Sequence, residues 1–138
     1  MSVNLRGVRI EHGNPVHSVT VTGERNDAAD LIGAADVFAL SSADEALPIV
    51  VLEALALGTP VVSTDVGGIP DVVTDGETGL LVPPRDAPAM RAAVERLLGD
   101  ADLRGRLGGA GRDFARERFG WDGVIERTLG VYRRALEA

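Results

Sequence analysis

Two glutamates, Glu45 and Glu53, are the side chains of this sequence best suited to chemistry. Glu53 lies in Pro48-Ile-Val-Val-Leu-Glu-Ala-Leu-Ala-Leu57, a predicted helix that is otherwise apolar on every side. Such a helix is normally buried, and a buried carboxylate is costly unless donors satisfy its oxygens. We therefore expect Glu53 to need a polar partner, and two vicinal sugar hydroxyls would supply two O–H donors.

Glu45 lies in the turn Ser42-Ala-Asp-Glu-Ala-Leu47, which joins a predicted strand to this helix. Open parallel sheets bind ligands at the carboxyl ends of their strands. Free N–H groups near Ile49 and Val50, together with the helix dipole, suit a phosphate or diphosphate. Glu45 could then orient a sugar attached to that diphosphate, or stabilise positive charge at its anomeric carbon. The alternative is that Glu45 is a solvated loop acid and Glu53 marks an exposed face.

The elements that must position these residues alternate between short apolar runs and helical segments, which is typical of βα units and a parallel sheet. Residues 1–17 form a poorly defined leader with at most a short strand at 8–10, and residues 18–138 form the domain. The sequence predicts strands at 19–22, 36–40, 60–63 and 79–82, and helices at 27–34, 48–57 and 70–73. Pro48 suits a first helical turn, and Gly58 suits the left-handed position after the last turn.

The last third of the chain is predicted to be helical. Asp86 is expected to cap a helix that ends near Leu98, and a second helix spans 101–119 until Gly120 breaks it. A final helix begins at Trp121 and places four apolar side chains on one stripe. This stripe predicts packing against a core, and its members are Ile125, Leu129, Tyr132 and Leu136.

Composition excludes several classes of function. The chain has 138 residues, the size of one domain, with no cysteine and a net charge of -7. Nucleic acid is a poor partner for such a chain, and no segment is apolar enough to predict a membrane span. All 14 basic residues are arginine, which excludes lysine Schiff-base chemistry. His12 and His17 are the only histidines, so the sequence offers too few residues for a histidine-based active site to be expected. The sequence indicates a cytoplasmic protein.

The motifs around the two glutamates resemble a known family. The resemblance is found in the segments Ala34-Ala-Asp-Val-Phe-Ala-Leu-Ser-Ser42 and Glu45-Ala-Leu-Pro-Ile-Val-Val-Leu-Glu-Ala-Leu-Ala-Leu-Gly-Thr-Pro-Val-Val62. The match continues through Thr64-Asp-Val-Gly-Gly-Ile-Pro-Asp71 and Asp75-Gly-Glu-Thr-Gly-Leu-Leu-Val-Pro-Pro84, and resumes at Phe119-Gly-Trp121. This pattern looks like the carboxyl-terminal half of group 1 (family 4) glycosyltransferases. It implies an α/β fold, namely a Rossmann-like parallel sheet with flanking helices that forms part of the C-terminal domain of a GT-B enzyme.

The resemblance also implies roles for individual residues. The family's glutamate, seven residues, glutamate motif falls on Glu45 and Glu53, so Glu45 would contact the donor sugar as the catalytic residue and Glu53 the ribose hydroxyls. Backbone from Leu47 to Val50, which includes Pro48 and Ile49, would hold the diphosphate of a nucleotide-sugar substrate, with no metal or other cofactor. Gly67 and Gly68 would let the chain approach the donor region closely, and the alternative for this pair is a plain turn.

Two mild departures from the family pattern are Ala46, where glycine is usual, and Asp71, where glutamate is commoner. A larger departure is that an acceptor domain and the βα units that supply an arginine and a lysine for the diphosphate have no counterpart here. Arg6, Arg9 or Arg25 could replace them, although nothing in their setting favours it. We therefore expect a fragment, a truncated gene product or one piece of a split enzyme, with a separate chain supplying the acceptor domain or a second copy as partner.

Four hypotheses about function follow from these features. The first is a glycosyltransferase, anomer-retaining by the resemblance, with this chain as its donor-binding part. The second is a non-catalytic remnant or interaction module of the same fold. A nucleotide-sugar epimerase of GT-B fold remains a third, because fold alone does not separate these chemistries. A receiver-type signalling domain shares the alternating architecture but needs a lysine that this chain lacks.

Overall fold

The computed structural model describes residues 22–137. This part of the chain is an α/β domain whose three strands form one parallel sheet in the order β1-β2-β3, as the sequence predicts. The strands are β1 (Phe38–Leu40), β2 (Val61–Thr64) and β3 (Leu80–Val82). The helices are α1 (Ala28–Ala34), α2 (Ile49–Leu57), α3 (Ala87–Gly99), α4 (Ala101–Phe119) and α5 (Trp121–Leu136).

The central strand, β2, is buried along its whole length, because its alternating side chains enter two separate apolar layers. On one face Val61 packs with Val51 and Leu55 of α2. On the other face Val62 packs with Leu80, Leu97, Leu103 and Leu107, which come from β3, α3 and α4. The sheet is thus sandwiched between helices, and its carboxyl edge opens on the loops that follow β1 and β2.

Helix α2 ends as the sequence predicts, since Gly58 adopts φ 78° at the C-cap and its N–H donates to the helix carbonyls. Its start differs by one position. Pro48 is the N-cap residue, not a member of the first turn, because its ψ of 82° is outside the helical range. Helix α4 crosses α2 closely where Gly108 lies against Gly58, and a Cβ on Gly108 would come within 2.2 Å of the Gly58 carbonyl oxygen.

The helix predicted at 70–73 is wrong, because this segment is a turn. One bond of the α-helical type forms there, from Val73 N–H to Ile69 O at 2.9 Å. The next N–H, on Thr74, donates to the side-chain oxygen of Thr78, which turns the chain toward β3. The predicted leader, the strand at 8–10 and residues 19–21 of the first predicted strand lie outside the described residues, and Thr22 is not in a strand.

The C-terminal helices have the predicted boundaries. Asp86 caps α3 by accepting a hydrogen bond from Ala89 N–H at 2.9 Å. However, the expected packing of α5 is wrong, since no residue of α5 is buried. The stripe residues that the sequence predicts in a core face solvent, and Tyr132 and Leu136 are 62% and 87% exposed. Helix α5 contacts α4, and one of these contacts is the hydrogen bond of 2.6 Å that the Arg127 guanidinium donates to the Arg118 carbonyl.

A glycine turn after β2 fixes the loop that carries Glu45. Gly67 has φ 52°, and a Cβ there would lie 1.6 Å from the Glu45 carbonyl oxygen. A Cβ on Gly68 would lie 2.3 Å from the Ala46 carbonyl oxygen, and Gly68 N–H donates to Glu45 O at 3.1 Å. The close approach that these glycines allow within residues 22–137 is therefore to the backbone of Glu45 and Ala46, and their contact with a donor stays a prediction.

We expect Gly67→Ala to lower the free energy of unfolding by more than about 3 kcal/mol, because it combines left-handed strain with a backbone clash. Gly76→Ala is the matched control. Gly76 has a similar φ of 72°, but a Cβ there would meet nothing within 4 Å, so the substitution should cost only about 1–2 kcal/mol. Urea unfolding followed by circular dichroism measures both. Equal losses in the two variants would contradict the clash.

Candidate functional site

The Glu45 loop begins directly after β1, at the carboxyl edge of the sheet. Glu45 is half-buried, and its Oε1 accepts a hydrogen bond of 2.6 Å from the Ser42 hydroxyl. The Ser42 carbonyl in turn accepts a 2.7 Å hydrogen bond from the hydroxyl of Thr64, the last residue of β2. Since Thr64 is itself buried, the carboxylate of Glu45 is held through Ser42 by the end of the central strand.

The start of α2 offers fewer free donors than the sequence suggests. Ile49 N–H donates to Leu47 O at 3.0 Å, because a tight turn centred on Pro48 leads into the helix, so the expectation of a free N–H at Ile49 is wrong. Pro48 has no N–H, and its carbonyl accepts from the N–H groups of residues 51 and 52. Within residues 22–137, Val50 N–H has no backbone acceptor and remains available to an anion.

Glu53 is exposed, so its carboxylate does not require a partner, contrary to the expectation from its apolar helix. Helix α2 is apolar on all sides, yet only Val51, Ala54 and Leu55 are buried. The face that carries Ile49 and Glu53 has no covering element among the described residues, and Ile49 is 63% exposed there. The pattern of α2 predicts burial on every side, whereas this structure covers one.

The Glu53 face lines an open cavity of about 810 Å³ between α2 and the junction of α4 with α5. Arg112 and Arg116 of α4 line the same cavity as Glu53, together with Trp121, which is 80% exposed. The remaining lining is mostly apolar and comprises Ile49, Leu52, Ala56, Ala115, Phe119 and Gly120. The cavity therefore combines opposite charges with apolar walls.

A second cavity, of about 430 Å³, lies where the carboxyl ends of the strands meet the start of α3. Ser41 and Thr64 line it together with Arg85, Asp86 and Arg91. The sequence pattern singles out neither arginine. Arg91 pairs with Glu95 at 2.7 Å, and Arg85 has φ 61°, the one positive φ of a residue other than glycine among residues 22–137. The position of Arg85 in the sequence could have indicated this site. Arg85 comes three residues after the end of β3, and Ser41 comes directly after the end of β1, so both lie at the carboxyl edge of the sheet.

Of the arginines considered for the diphosphate, only Arg25 lies within the described residues. Its guanidinium donates to the Asp27 carboxylate at 2.6 Å, and Asp27 is the N-cap residue of α1. This hydrogen bond lowers the pKa of the Asp27 carboxyl and raises the pKa of Arg25. Arg25 is thus engaged at the start of α1, and Arg6 and Arg9 lie outside the described part of the chain.

Two general features of the described residues bear on the site. Between residues 22 and 137, no three histidine, cysteine, aspartate or glutamate side chains come together as the ligands of a metal ion would. None of the helices in this range combines the length and apolar character that crossing a membrane requires.

Comparison with known proteins identifies the family. The family model described as "Glycosyl transferases group 1" matches residues 5–100. The chain is 46% identical over 111 residues to an alpha-maltose-1-phosphate synthase of Mycolicibacterium smegmatis. This alignment covers 76% of this chain and 29% of that relative. It is 39% identical over 112 residues to a D-inositol 3-phosphate glycosyltransferase of Streptomyces bingchenggensis, covering 81% of this chain and 24% of that relative.

Solved structures agree with this assignment. Sucrose-phosphate synthase from Thermosynechococcus elongatus superimposes with a TM-score of 0.71 and 37% identity over 78% of this chain and 27% of its own. Anabaena HepE, solved in complex with UDP, shares the fold with a TM-score of 0.75 and 24% identity, over 80% of this chain and 30% of its own. The chain spans less than a third of the length of each of these proteins. It belongs to the group 1 glycosyltransferases and has the fold of a part of a GT-B enzyme.

Proposed function

We propose that this chain is the donor-binding part of a retaining glycosyltransferase, which transfers a sugar from a nucleotide-diphosphate sugar to an acceptor. The observation that carries the proposal is the placement of the Glu45 loop and the start of α2 together at the carboxyl edge of a parallel sheet. Ligands of open α/β sheets bind at that edge. The activity of the complete protein is part of this proposal, since the relatives are far longer.

Glu45 is the residue we assign to the donor sugar. Its carboxylate is held by Ser42 through one oxygen, which leaves Oε2 for a sugar hydroxyl. A carboxylate fixed in this way, without a need to reorganise, stabilises positive charge that develops at an anomeric carbon. Retention of the anomeric configuration is the outcome that the family resemblance implies.

The start of α2 is assigned to the diphosphate, and Glu53 to the ribose. Val50 N–H and the dipole of the nine-residue helix favour a negative group at the segment from Leu47 to Val50. Glu53 lies one helical turn beyond Ile49, and its exposure leaves both oxygens accessible to ribose hydroxyls. Gly67 and Gly68 then act on the donor through the loop of Glu45 that they support.

The comparisons support a uridine nucleotide as the first probe. The HepE protein, which shares this fold, has been solved with UDP and with UDP-glucose. The names of the other relatives refer to maltose-1-phosphate, inositol 3-phosphate and sucrose-phosphate, so they differ in the acceptor or product that they name. UDP and UDP-glucose are therefore suitable ligands for a test on this chain.

We expect Glu45→Gln to weaken binding of UDP-glucose about tenfold while leaving binding of UDP unchanged, because only the sugar contacts this carboxylate. Ser42→Ala should have the same sign and a smaller size, since it removes the hydrogen bond that orients Glu45. Titration calorimetry with both ligands measures the ratio of the two affinities.

Asp44→Asn is the matched control for these variants. Asp44 is an exposed acid next to Glu45 and should change neither affinity. An unchanged ratio of UDP-glucose to UDP affinity in Glu45→Gln would contradict the role of Glu45 at the sugar. Loss of both affinities in Ser42→Ala would indicate a general collapse of the loop instead.

We expect Glu53→Gln to weaken the binding of UDP about tenfold, because a charge-assisted hydrogen bond to the ribose is replaced by a neutral one. Glu77→Gln removes another exposed acid, from the turn before β3, and should leave the affinity unchanged. Calorimetry with UDP tests both variants. If Glu53→Gln binds UDP as well as the parent chain does, the ribose assignment is wrong.

A non-catalytic interaction module is the second candidate. The open face of α2 and the unburied helix α5 favour it, because exposed apolar surface of this extent usually marks contact with another polypeptide. Transfer of radiolabelled glucose from UDP-glucose by the purified chain would exclude it. Failure of the purified chain to bind either UDP or UDP-glucose would favour it.

A further inference from the structure

Two buried threonines lie at opposite ends of β2, and each donates its hydroxyl to a backbone carbonyl that is far away in the sequence. Thr59, two residues before the strand, donates to Ile32 O of α1 at 2.8 Å. Thr64, the last residue of the strand, donates to Ser42 O at 2.7 Å. Each threonine is only 3% exposed. Only the Thr64 bond lies at the carboxyl edge of the sheet, where open α/β sheets bind their ligands.

The Thr64 hydroxyl fixes a backbone group of the Glu45 loop. Within residues 22–137, no backbone N–H donates to the Ser42 carbonyl, so the Thr64 hydroxyl is its donor there. Thr64 follows Val62 by two residues, so its side chain lies on the same face of the sheet as the apolar layer of β3, α3 and α4. The donor therefore belongs to the buried strand and not to the loop that it holds.

The Glu45 loop is attached to the end of β2 at two points, which restrain different parts of Glu45. At the first point, Gly68 N–H donates to Glu45 O, and the backbone of Gly67 packs against the same residue. At the second point, Thr64 holds the carbonyl of Ser42, whose hydroxyl donates to Glu45 Oε1 at 2.6 Å. The first attachment places the backbone of Glu45, and the second orients its carboxylate.

The second attachment matters because a placed backbone does not by itself orient a glutamate. The side chain has three rotatable bonds, each with several staggered positions, so a single carboxylate position must be selected by a further contact. The Ser42 hydroxyl selects one position only while Ser42 itself is held in place. Ser42 is half-buried and lies in a loop, whereas β2 is buried along its whole length. Thr64 therefore supplies the fixed point from which the carboxylate is oriented.

We propose that Thr64 is a positioning residue for the donor sugar, which acts on Glu45 through Ser42. The proposal rests on the assignment of Glu45 to the sugar of the donor. With 3% of its surface exposed, Thr64 offers almost no area for a ligand, so its effect is indirect. Preorganising Glu45 favours binding of the sugar, whereas the nucleotide is assigned to α2. Thr64 thus sets the preference for UDP-glucose over UDP, and not the affinity for both.

Substitutions at Thr64 separate the hydroxyl from the packing. Thr64→Val keeps the shape of the side chain but removes the donor, so the ratio of UDP-glucose to UDP affinity should fall about three- to fivefold, with the affinity for UDP unchanged. Thr64→Ser keeps the donor and removes a buried methyl group, so it should lower the urea midpoint but retain the parent ratio. Titration calorimetry of the full 138-residue chain measures the ratio, and urea unfolding measures the stability.

Thr59→Val is the matched control. It removes an equally buried hydroxyl with the same kind of partner, so it should lower the urea midpoint as Thr64→Val does. However, it should change neither affinity, because its hydrogen bond lies at the amino end of β2. An equal fall of the ratio in both valine variants, or a loss of both affinities in Thr64→Val, would indicate general loosening of the fold and overturn the proposal.

Glu45→Gln distinguishes failure of this proposal from failure of the proposed function. An unchanged ratio in Thr64→Val, alongside a lowered ratio in Glu45→Gln, would overturn the role of Thr64 and leave the assignment of Glu45 intact. An unchanged ratio in both variants would contradict the assignment of Glu45 and the role of Thr64 with it.

A double variant tests the route through Ser42. In Ser42→Ala the hydroxyl that connects Thr64 to Glu45 is absent, so adding Thr64→Val should produce no further fall in the ratio of UDP-glucose to UDP affinity. The same calorimetric titrations, made on the two single variants and the double variant, complete the cycle. If the two effects multiply, Thr64 does not act through the Ser42 hydroxyl, and the proposal is overturned.

Discussion

The attachment of the Glu45 loop to the end of β2 is the interaction on which the rest of the candidate site depends. Thr64 donates to the Ser42 carbonyl, the Ser42 hydroxyl donates to Glu45, and Gly68 N–H donates to the Glu45 carbonyl. Backbone packs on backbone at Gly67, where no side chain would fit. Since β2 is buried between two apolar layers, these bonds tie the half-buried carboxylate of Glu45 to the buried central strand.

The other side of the domain is open. Helix α2 has the composition of a helix that is covered all round, but within residues 22–137 only the face of Val51, Ala54 and Leu55 is covered. Its second face carries Glu53 and lines the cavity beside the arginines of α4. A carboxylate in this setting needs no compensating partner, because water solvates it. Glu53 is therefore a candidate ribose-binding residue because it is accessible one turn into α2, and not because it is buried.

Local patterns predicted most of the fold, because they depend on interactions between near neighbours. Gly58 and Asp86 mark helix ends through their own backbone and side-chain preferences, and both do so in the structure. Patterns that depend on what covers a surface were less informative. The amphipathic stripe of α5 correctly predicted a helix but not its exposure, and the apolar run of α2 did not reveal the exposure of Glu53. The role of Ser42 was also hidden, since it depends on Thr64, 22 residues away in the chain.

The glycine pair at 67 and 68 illustrates the same difference. Its type predicted close approach, but only the three-dimensional structure identifies the approaching group as the backbone of Glu45 and Ala46. The most direct test of the proposed donor site is to map amide chemical-shift changes in the labelled chain during titration with UDP-glucose. We predict that the largest changes lie between Glu45 and Glu53 and extend to Gly67 and Gly68. Changes confined to helices α4 and α5 beside Trp121, or no change at millimolar ligand, would contradict the assignment of a donor site to this edge of the sheet.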